Sequence, residues 1–258
     1  MADLQGTSII VTGAARGMGA ASVRAFAAAG ADVVAMDIDT AGLDHVVATA
    51  GAGGSVTAMP VDVSAATSVT SAFDAAVERL TKLDVLAHPA AIQRPGSAAE
   101  ISPEDWDSMF AVTVRGTMLT NQAAFRHMKA GGRGGSIINF GSISGLRPEP
   151  IAPAYSAAKG AVHSWTRTAA AAWGPDGIRV NAILPAIATP MYEEAKARMT
   201  EDQQQAHYWQ NEAAIALGRR YGDPDTDLGP VMVFLASSDS RFITGQLIPV
   251  DGGQSSVR

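Results

Sequence analysis

Short runs of β-branched and other apolar residues alternate along the chain with longer segments whose apolar residues recur at helical spacing. The short runs predict seven strands, at residues 7–13, 32–39, 55–63, 83–90, 135–142, 178–185 and 246–253. Between them, segments such as 64–80 and 103–128 are alanine-rich or amphipathic and predict helices. Strands that alternate with helices are typical of an α/β fold, in which a doubly wound parallel sheet carries helices on both faces.

No linker, repeat or low-complexity tract divides the 258 residues, so the sequence predicts a single domain over residues 1–258. Hydrophobic residues make up 47% of the chain and charged residues 17%, which is a globular composition. The net charge of −6 and the absence of Lys/Arg runs provide no electrostatic surface for nucleic acid or for an anionic membrane. Neither is therefore expected as a partner.

The chain contains no cysteine, which excludes disulfides, thiolate metal sites and a cysteine nucleophile. Its histidines lie far apart and match no metal-ligand spacing, so no metal site is expected. The first residues lack a basic region followed by a long apolar run, and no later segment is apolar for the length of a membrane span. These features predict a soluble, cytoplasmic protein.

A glycine-rich turn joins the first predicted strand to the first predicted helix. Its sequence, TGAARGMG, contains Gly13, Gly17 and Gly19, with Arg16 and Met18 between them. Glycines let the backbone approach a pyrophosphate closely, and the N-terminus of the following helix supplies N–H donors and a positive dipole. The spacing differs from GxGxxG, so the turn indicates a dinucleotide site only together with other features.

Acidic side chains follow the second and third strands. Asp37 stands where a carboxylate can accept hydrogen bonds from the two hydroxyls of an adenosine ribose, and its charge would repel a 2′-phosphate. With Ile38 beside it, Asp37 predicts NAD as the cofactor rather than NADP, and Asp39 is the nearby rival for this role. After the third strand, Asp62 precedes Val63 and is either an acceptor for the adenine amino group or a cap of the helix that begins there.

Polar side chains also follow the fifth strand. The sequence GSISG has Ile143 where the GxSxG turn of hydrolases needs serine, which argues against a hydrolase. Ser142 instead presents a hydroxyl at a strand end, where ligands bind in open parallel sheets. Further along, Tyr155 and Lys159 are four positions apart in PAYSAAKGAV and share one face of a predicted helix, so both head groups can act on one reacting centre.

The ordered set TGxxxGxG, Ser142, Tyr155-xxx-Lys159, RVNAILP and TGQLIPVDGG resembles the short-chain dehydrogenase/reductase family from about residue 5 to residue 253. The resemblance implies a single-domain Rossmann fold with a seven-stranded sheet, and hydride exchange between a nicotinamide cofactor and an alcohol or ketone. It also implies that Tyr155 is the general acid/base, that Lys159 holds the cofactor ribose and lowers the pKa of Tyr155, and that Ser142 orients the substrate carbonyl.

The resemblance also assigns the cofactor contacts, and three positions depart from the family pattern. The assigned contacts are Gly13, Arg16, Gly17, Met18, Gly19, Asp37, Ile38, Asp62, Val63, Ala90, Tyr155, Lys159, Pro185, Ile187 and Thr189. Residues 88–91 read His-Pro-Ala-Ala where most members have Asn-Asn-Ala-Gly, so contacts on the adenosine side are expected to differ, and Ala186 stands where glycine is usual. Thr113 occupies the position of a catalytic asparagine, whose amide in the family helps to hold a water that links the lysine to solvent. The Thr113 hydroxyl either replaces this amide or changes the link between Lys159 and solvent.

Residues 186–217, after the sixth strand, are expected to form a lid over the substrate. The candidate substrate contacts are Ser142, Ser144, Tyr155, Ile187, Met191, Tyr192, Tyr208 and Trp209. Between Thr189 and Leu217 five acidic residues stand against two basic ones, and this excess of negative charge disfavours phosphate- or CoA-bearing substrates. Apolar walls with few fixed donors favour an uncharged, fairly hydrophobic secondary alcohol or ketone, although each aromatic residue could equally pack within the lid or at a subunit contact.

The helix predicted at about 153–173 carries small apolar residues on a second side. They are Ala157, Ala161, Trp165, Ala169 and Ala172. Because water would cover this side in a monomer, the pattern predicts a homo-oligomer, and the family resemblance implies a homotetramer.

Three further functions stay open from the sequence. One is an NAD-binding protein with weak or no catalysis, which would act as a sensor or interaction module. The second is a related lyase or epimerase that uses the same cofactor. The third is a polyol or 3-oxoacyl type of the same family.

Overall fold

The computed structural model describes residues 3–255, except for the side chain of Met191, and places seven parallel strands in one sheet. The predicted substrate contact of Met191 therefore lies outside the described residues. The strands are β1 (Ser8–Thr12), β2 (Asp32–Asp37), β3 (Val56–Pro60), β4 (Val85–His88), β5 (Gly135–Phe140), β6 (Ile178–Pro185) and β7 (Leu247–Val250). Their order in the sheet is β3-β2-β1-β4-β5-β6-β7, which confirms the predicted doubly wound fold.

Helices connect successive strands and cover both faces of the sheet. They are α1 (Gly17–Ala28), α2 (Thr40–Thr49), α3 (Ala66–Leu80), α4 (Pro103–Met109), α5 (Gly116–Gly131), α6 (Pro153–Trp173), α7 (Pro190–Ala197), α8 (Glu201–His207) and α9 (Gly229–Ala236). Among residues 3–255, we find no helix with both the length and the apolar character needed to cross a bilayer.

The sheet is buried on both faces, which explains why its strands are almost continuously apolar. Ile9 and Val11 of β1 point into a core that contains side chains of α1, α2 and α9. Ile10 points to the opposite face, into a second core with side chains of α3, α5 and α6. All three are fully buried, so alternate positions of one strand fill two different cores.

A crevice opens at the carboxyl edge of the sheet, between β1 and β4, where the strand order changes direction. Gly13 follows β1 with a φ of +60°, and a Cβ atom there would lie 2.7 Å from the backbone of Ala90, which follows β4. This close approach requires glycine and fixes the width of the crevice at its base.

A π-helical segment (Phe110–Arg115) interrupts the long helical region between α4 and α5. Helical periodicity alone predicts one continuous helix there, so the interruption was not predicted. Thr113 lies within the segment and is buried. Such segments often occur at functional sites, because the changed winding redirects side chains.

The segment after β6 is helical, and a short strand-like contact joins its two ends. Ile187 pairs with Gly222 in an isolated parallel bridge. The N–H of Gly222 donates to the carbonyl of Ala186 at 3.0 Å, and the N–H of Ala188 donates to the carbonyl of Gly222 at 2.9 Å. Residues 187–222 therefore form a loop closed at its base, with α7, α8 and a second π-helical segment (Tyr208–Glu212) inside it.

Candidate active site

The glycine turn has the geometry of a diphosphate cradle. A Cβ atom at Gly19 would lie 1.9 Å from the carbonyl oxygen of Gly13, so no other residue fits there without a backbone shift. Gly17 has a φ of +55° and opens α1. The first N–H groups of α1 have no acceptor within the helix, and the Arg16 side chain at the N-cap forms no capping hydrogen bond. These donors fit a nicotinamide dinucleotide, whose diphosphate would accept their hydrogen bonds.

Asp37 is held in place at the end of β2 by the glycine turn. Its Oδ2 accepts a hydrogen bond from the N–H of Ala15 at 3.0 Å, and its Oδ1 accepts one from the N–H of Asp39 at 3.0 Å. Each carboxylate oxygen keeps further acceptor capacity for ribose hydroxyls. Ile38 is 73% exposed next to it, as expected for a residue that an adenine ring would cover. Asp39 instead caps α2 by accepting from the N–H of Gly42 at 3.0 Å, which gives the rival carboxylate a structural role.

The predicted adenine-side residues lie at the ends of β3 and β4. Asp62 Oδ1 accepts from the N–H of Ser64 at 2.9 Å and from its hydroxyl at 2.7 Å. Asp62 therefore stabilises the turn before α3, whose N-cap is Ala65, and one of its oxygens has no such role. The Val63 side chain packs in the core against Gly116 of α5, and the backbone of Ala90 lies next to Gly13.

The loop after β5 holds Ser142 against α6 through His163. The Ser142 hydroxyl oxygen accepts from the N–H of Ser144 at 3.1 Å, and the Ser142 N–H donates to His163 Nε2 at 3.3 Å. A Cβ atom at Gly145 would lie 2.6 Å from the His163 ring, which explains the glycine. Burial lowers the pKa of His163 to about 4, so its ring is neutral and can accept this hydrogen bond. Sequence reasoning missed His163, because no spacing connects it to Ser142.

Tyr155 and Lys159 lie on the face of α6 that meets the end of β5. Pro153 occupies the first turn of α6, as the sequence predicts. Lys159 is only 3% exposed, and its ammonium donates to the Phe140 carbonyl at 2.7 Å. The same ammonium lies 5.5 Å from the centre of the Tyr155 ring. Burial lowers the pKa of Lys159 to about 8, so its charge is costly to keep unless an acceptor is close by.

The predicted effect of Lys159 on Tyr155 is not present in this structure. Burial raises the pKa of Tyr155, a hydrogen bond with Ser142 partly offsets the rise, and the charge of Glu149 raises the pKa further. Burial of the phenol is the largest cause of this rise, and the ammonium of Lys159 points at the Phe140 carbonyl. A lower pKa for the phenol would require Lys159 to turn toward the Tyr155 oxygen or further positive charge in the crevice.

Three polar atoms near this group are buried without a hydrogen-bond partner among the described residues. They are Thr113 Oγ1, His88 Nε2 and His163 Nδ1. The other ring nitrogen of His88 lies 2.6 Å from Thr12 Oγ1 and 3.2 Å from Thr120 Oγ1. Burial and the charge of Lys159 lower the pKa of His88 to about 3, so the ring is neutral. The His88 side chain therefore packs between β1 and α5, and its departure from the family pattern changes the interior and not a side-chain contact to adenosine.

Thr189 and Ile187 lie where the sequence predicts contacts with the nicotinamide end of the cofactor. The methyl group of Thr189 comes within 3.5 Å of where a Cβ of Gly17 would stand, which brings the start of α7 next to the glycine turn. The Thr189 hydroxyl caps α7 by accepting from the N–H of Tyr192 at 3.3 Å. Ile187 is half-buried and packs on the core, directly after Pro185 and Ala186 at the end of β6.

The predicted apolar lid contains a buried polar cluster. Glu212 is 5% exposed, and its Oε1 accepts from the Tyr192 hydroxyl at 2.6 Å and from the Lys196 ammonium at 2.8 Å. Burial favours the neutral acid, but hydrogen bonds from Lys196 and Tyr192 outweigh it and leave the pKa of Glu212 below its usual value. The Tyr192 ring also meets Tyr221 edge-on at 4.9 Å. Tyr192 is therefore a member of a polar network and not a simple apolar wall.

The two other aromatic residues predicted as pocket walls lie at the end of α8. Trp209 is 63% exposed, and Tyr208 is half-buried and meets the Trp209 ring edge-on at 5.4 Å. Within a single chain, nothing encloses Trp209, so it does not form the wall of a closed pocket there. Its contact with substrate stays a prediction that depends on movement of the lid or on a second subunit.

Known proteins resemble this chain over almost its whole length. The family described as enoyl-(acyl carrier protein) reductase matches residues 13–255. The short-chain reductase protein NovJ of Streptomyces niveus is 38% identical, with 95% of this chain and 92% of that protein covered. Meso-2,3-butanediol dehydrogenase of Serratia marcescens is 36% identical, with coverage of 95% and 93%. The crystal structure of a short-chain type dehydrogenase/reductase from Mycobacterium marinum has a TM-score of 0.89 at 30% identity, with coverage of 98% and 97%.

This geometry defines a class of protein. Its members have a Rossmann-type fold in which a serine, a tyrosine and a lysine lie together at the carboxyl edge of the sheet. These likenesses then place the chain within a family. It belongs to the short-chain dehydrogenase/reductases, as the resemblance in the sequence predicts.

Replacement of Thr113 by asparagine tests what this departure from the family does. We expect kcat/KM to stay within about tenfold of the parent or to rise, because a neutral hydrogen bond contributes about 1 kcal/mol and asparagine supplies both a donor and an acceptor. Thr113→Val, which removes the hydroxyl at nearly constant volume, is the matched variant. A complete loss of turnover in Thr113→Asn, with the fold intact by circular dichroism, would show that Thr113 has its own chemical role.

Proposed function

We propose that this protein is an oxidoreductase that transfers a hydride between NAD(H) and an uncharged secondary alcohol or ketone, with Tyr155 as the general acid/base. The observation that carries the proposal is the convergence of Ser142, Tyr155 and Lys159 at the crevice whose other wall is the glycine turn. The matching family relatives include a butanediol dehydrogenase, which supports chemistry at a CH–OH group.

The bound cofactor would supply the hydride acceptor or donor at its nicotinamide. Ser142 Oγ would hydrogen-bond the substrate oxygen and hold it next to the phenol, because the Ser144 N–H and His163 fix the loop that carries it. During alcohol oxidation, Tyr155 Oη would take the hydroxyl proton, and during ketone reduction it would return that proton to the carbonyl oxygen. Lys159 would leave the Phe140 carbonyl for the cofactor ribose and so bring its charge closer to Tyr155.

NAD is the proposed cofactor because of the charge at the end of β2. Asp37 is held rigidly by two backbone N–H groups, so it cannot turn away from a 2′-phosphate without losing both hydrogen bonds. Arg16 in the glycine turn is exposed and is the one nearby cation that could favour NADP. The charge of Asp37 is fixed by two backbone donors, so it affects the choice of cofactor more than the exposed side chain of Arg16 does.

The proposed substrate is uncharged, as the sequence predicts, but different residues now support its hydrophobic character. The acidic excess of the lid disfavours phosphates and acyl thioesters. The fairly hydrophobic character predicted from the sequence now depends on Ile187 and Tyr208, because Tyr192 is engaged with Glu212 and Trp209 is exposed. A polyol type is the second candidate, and this polar lid cluster favours it.

A panel of substrates tests the proposed function. The protein is incubated with NAD or NADP and with hydrophobic secondary alcohols, diols, polyols and acyl thioesters, and NAD(P)H formation is followed by absorbance. We expect turnover with NAD and an uncharged secondary alcohol. Efficient turnover confined to acyl thioesters would contradict the substrate assignment, and tight NAD binding without turnover of any compound would favour the sensor alternative.

We also propose that the protein assembles into a homotetramer, in part through a groove beside α6. This groove has a volume of about 850 Å³. Apolar side chains such as Phe110, Val114 and Ala161 form most of its lining, and Asp107, Ser108, Arg115 and Thr117 also line it. Ala169, predicted on the same side, is instead buried in the core of its own chain, because the helix face is narrower than its composition indicates.

Replacing Ala161 by arginine should dissociate the oligomer. The substitution puts a charge and a long side chain into an apolar groove, and the mass by light scattering at micromolar concentration should fall. Ala75→Arg, at an exposed position of α3 outside the groove lining, is the control and should keep the parent mass. A monomeric mass for the unmodified protein would count against the assembly.

A further inference from the structure

A carboxylate outside the Ser–Tyr–Lys group lies two hydrogen bonds from the Ser142 hydroxyl. The Ser144 N–H donates to Ser142 Oγ at 3.1 Å, and the Ser144 hydroxyl donates to Glu149 Oε2 at 3.2 Å. Glu149 lies in the loop between β5 and α6, six residues before Tyr155. Neither its spacing nor its chemistry identifies it in the sequence as part of the site.

The loop that carries Glu149 is fixed on both sides. The Glu149 carbonyl accepts from the N–H of Ala152 at 3.1 Å, at the start of α6. Two residues further, the Ile151 carbonyl accepts from the N–H of Gly96 at 3.0 Å, which ties the loop to the segment after β4. Backbone hydrogen bonds therefore hold the chain next to Glu149, and the hydrogen bond from the Ser144 hydroxyl orients its carboxylate.

Glu149 keeps most of its capacity to accept hydrogen bonds. It is half-buried, and Ser144 uses one of its lone pairs. None of the ion pairs found within residues 3–255 includes it, although Arg147 is only two positions away. A partly buried carboxylate with so few partners gains more from an added donor than an exposed one does.

The charge of Glu149 acts on two phenols, that of Tyr155 on α6 and that of Tyr221, which follows the lid. Tyr221 in turn contacts the Tyr192 ring at the start of the lid. Glu149 therefore lies beside the path between the reacting centre and the lid, which the rest of a bound substrate must occupy.

We propose that Glu149 determines specificity by accepting a hydrogen bond from a second hydroxyl of the substrate, next to the carbinol that is oxidised. This inference rests on the proposed function, and it adds the class of substrate, a vicinal diol or longer polyol. A carboxylate that must stay close to Ser142 through Ser144 can reach a hydroxyl on the neighbouring carbon while the first hydroxyl contacts Ser142 and Tyr155. A substrate ammonium would also suit Glu149, but the charges of Lys159 and Arg147 oppose a cation there.

The test compares two alcohols of equal carbon number, butane-2,3-diol and butan-2-ol. In the unmodified protein we expect kcat/KM for the diol to exceed that for the mono-alcohol by about 10- to 100-fold, the range of a hydrogen bond to a charged group. In Glu149→Gln, which keeps size and one acceptor but removes the charge, this preference should fall by about tenfold, mainly through the KM of the diol. Glu149→Asp should retain part of the preference.

Glu78→Gln is the control, because Glu78 is an exposed glutamate on α3 and should leave the preference unchanged. An unaltered diol preference in Glu149→Gln, with both alcohols still oxidised, would overturn the inference and leave the proposed function intact. An equal loss with both alcohols, with NADH binding retained, would also overturn it. If the unmodified protein oxidises neither these alcohols nor any other of the panel, both the inference and the proposed function fail.

Discussion

Replacement of Tyr155 by phenylalanine should abolish turnover while NADH still binds. The substitution removes the hydroxyl that we propose exchanges a proton with the substrate oxygen, and it keeps the ring that packs over Lys159. General acid/base groups typically contribute about 10²- to 10⁴-fold, so kcat should fall at least within that range. The measurement is kcat with the best alcohol of the panel, together with the Kd of NADH by fluorescence titration.

The control for Tyr155→Phe is a measurement of thermal unfolding, which reports whether the fold is intact. The Tyr155 ring is half-buried on α6, and phenylalanine keeps its volume, so the midpoint of thermal unfolding should shift by only a few degrees. Activity within threefold of the parent would reject Tyr155 as the proton-transfer group. Loss of NADH binding as well as turnover would show that the phenol serves the cofactor before it serves the proton.

Replacement of Asp37 by asparagine should weaken the preference for NAD. The amide keeps an acceptor for the N–H of Ala15 but removes the charge that would repel a 2′-phosphate. A charged hydrogen bond contributes about 1.5–3 kcal/mol, so the ratio of kcat/KM for NAD to that for NADP should fall about 10- to 100-fold. Asp39→Asn is the matched control, since asparagine also caps a helix, and it should leave the ratio unchanged. A preference of the unmodified protein for NADPH would contradict the assignment.

The strands and the proximity of Tyr155 to Lys159 could be predicted because they depend on local sequence. β1 buries alternate side chains on two faces, which forces an almost continuous apolar run, and Gly13 and Gly19 stand where a Cβ atom would collide with backbone. Tyr155 and Lys159 share a helix, so their proximity follows from spacing alone. Features that depend on the residues of a single strand or helix can therefore be predicted from the sequence.

Features that depend on contacts between distant segments could not be predicted. The π-helical winding around Thr113 interrupts a segment whose periodicity predicts one continuous helix. The direction of Lys159 depends on a carbonyl at the end of β5, and the pKa of Tyr155 is raised mainly because its phenol is buried. Likewise, Glu212 reaches Tyr192 only because the lid folds back on itself, so a segment with an apolar pattern contains a polar interior.

Transfer of deuterium from labelled NADH to a ketone tests directly whether the protein catalyses hydride transfer. The protein is incubated with a prochiral ketone of the panel and with NADH that carries deuterium on one or the other face of C4, and the alcohol is analysed by mass spectrometry. We expect one of the two labelled cofactors to deliver a single deuterium to the carbinol carbon, and Tyr155→Phe to slow this transfer by at least about 10²-fold. Alcohol that carries no label from either cofactor, or that takes its carbon-bound deuterium from heavy water, would contradict hydride transfer at this site.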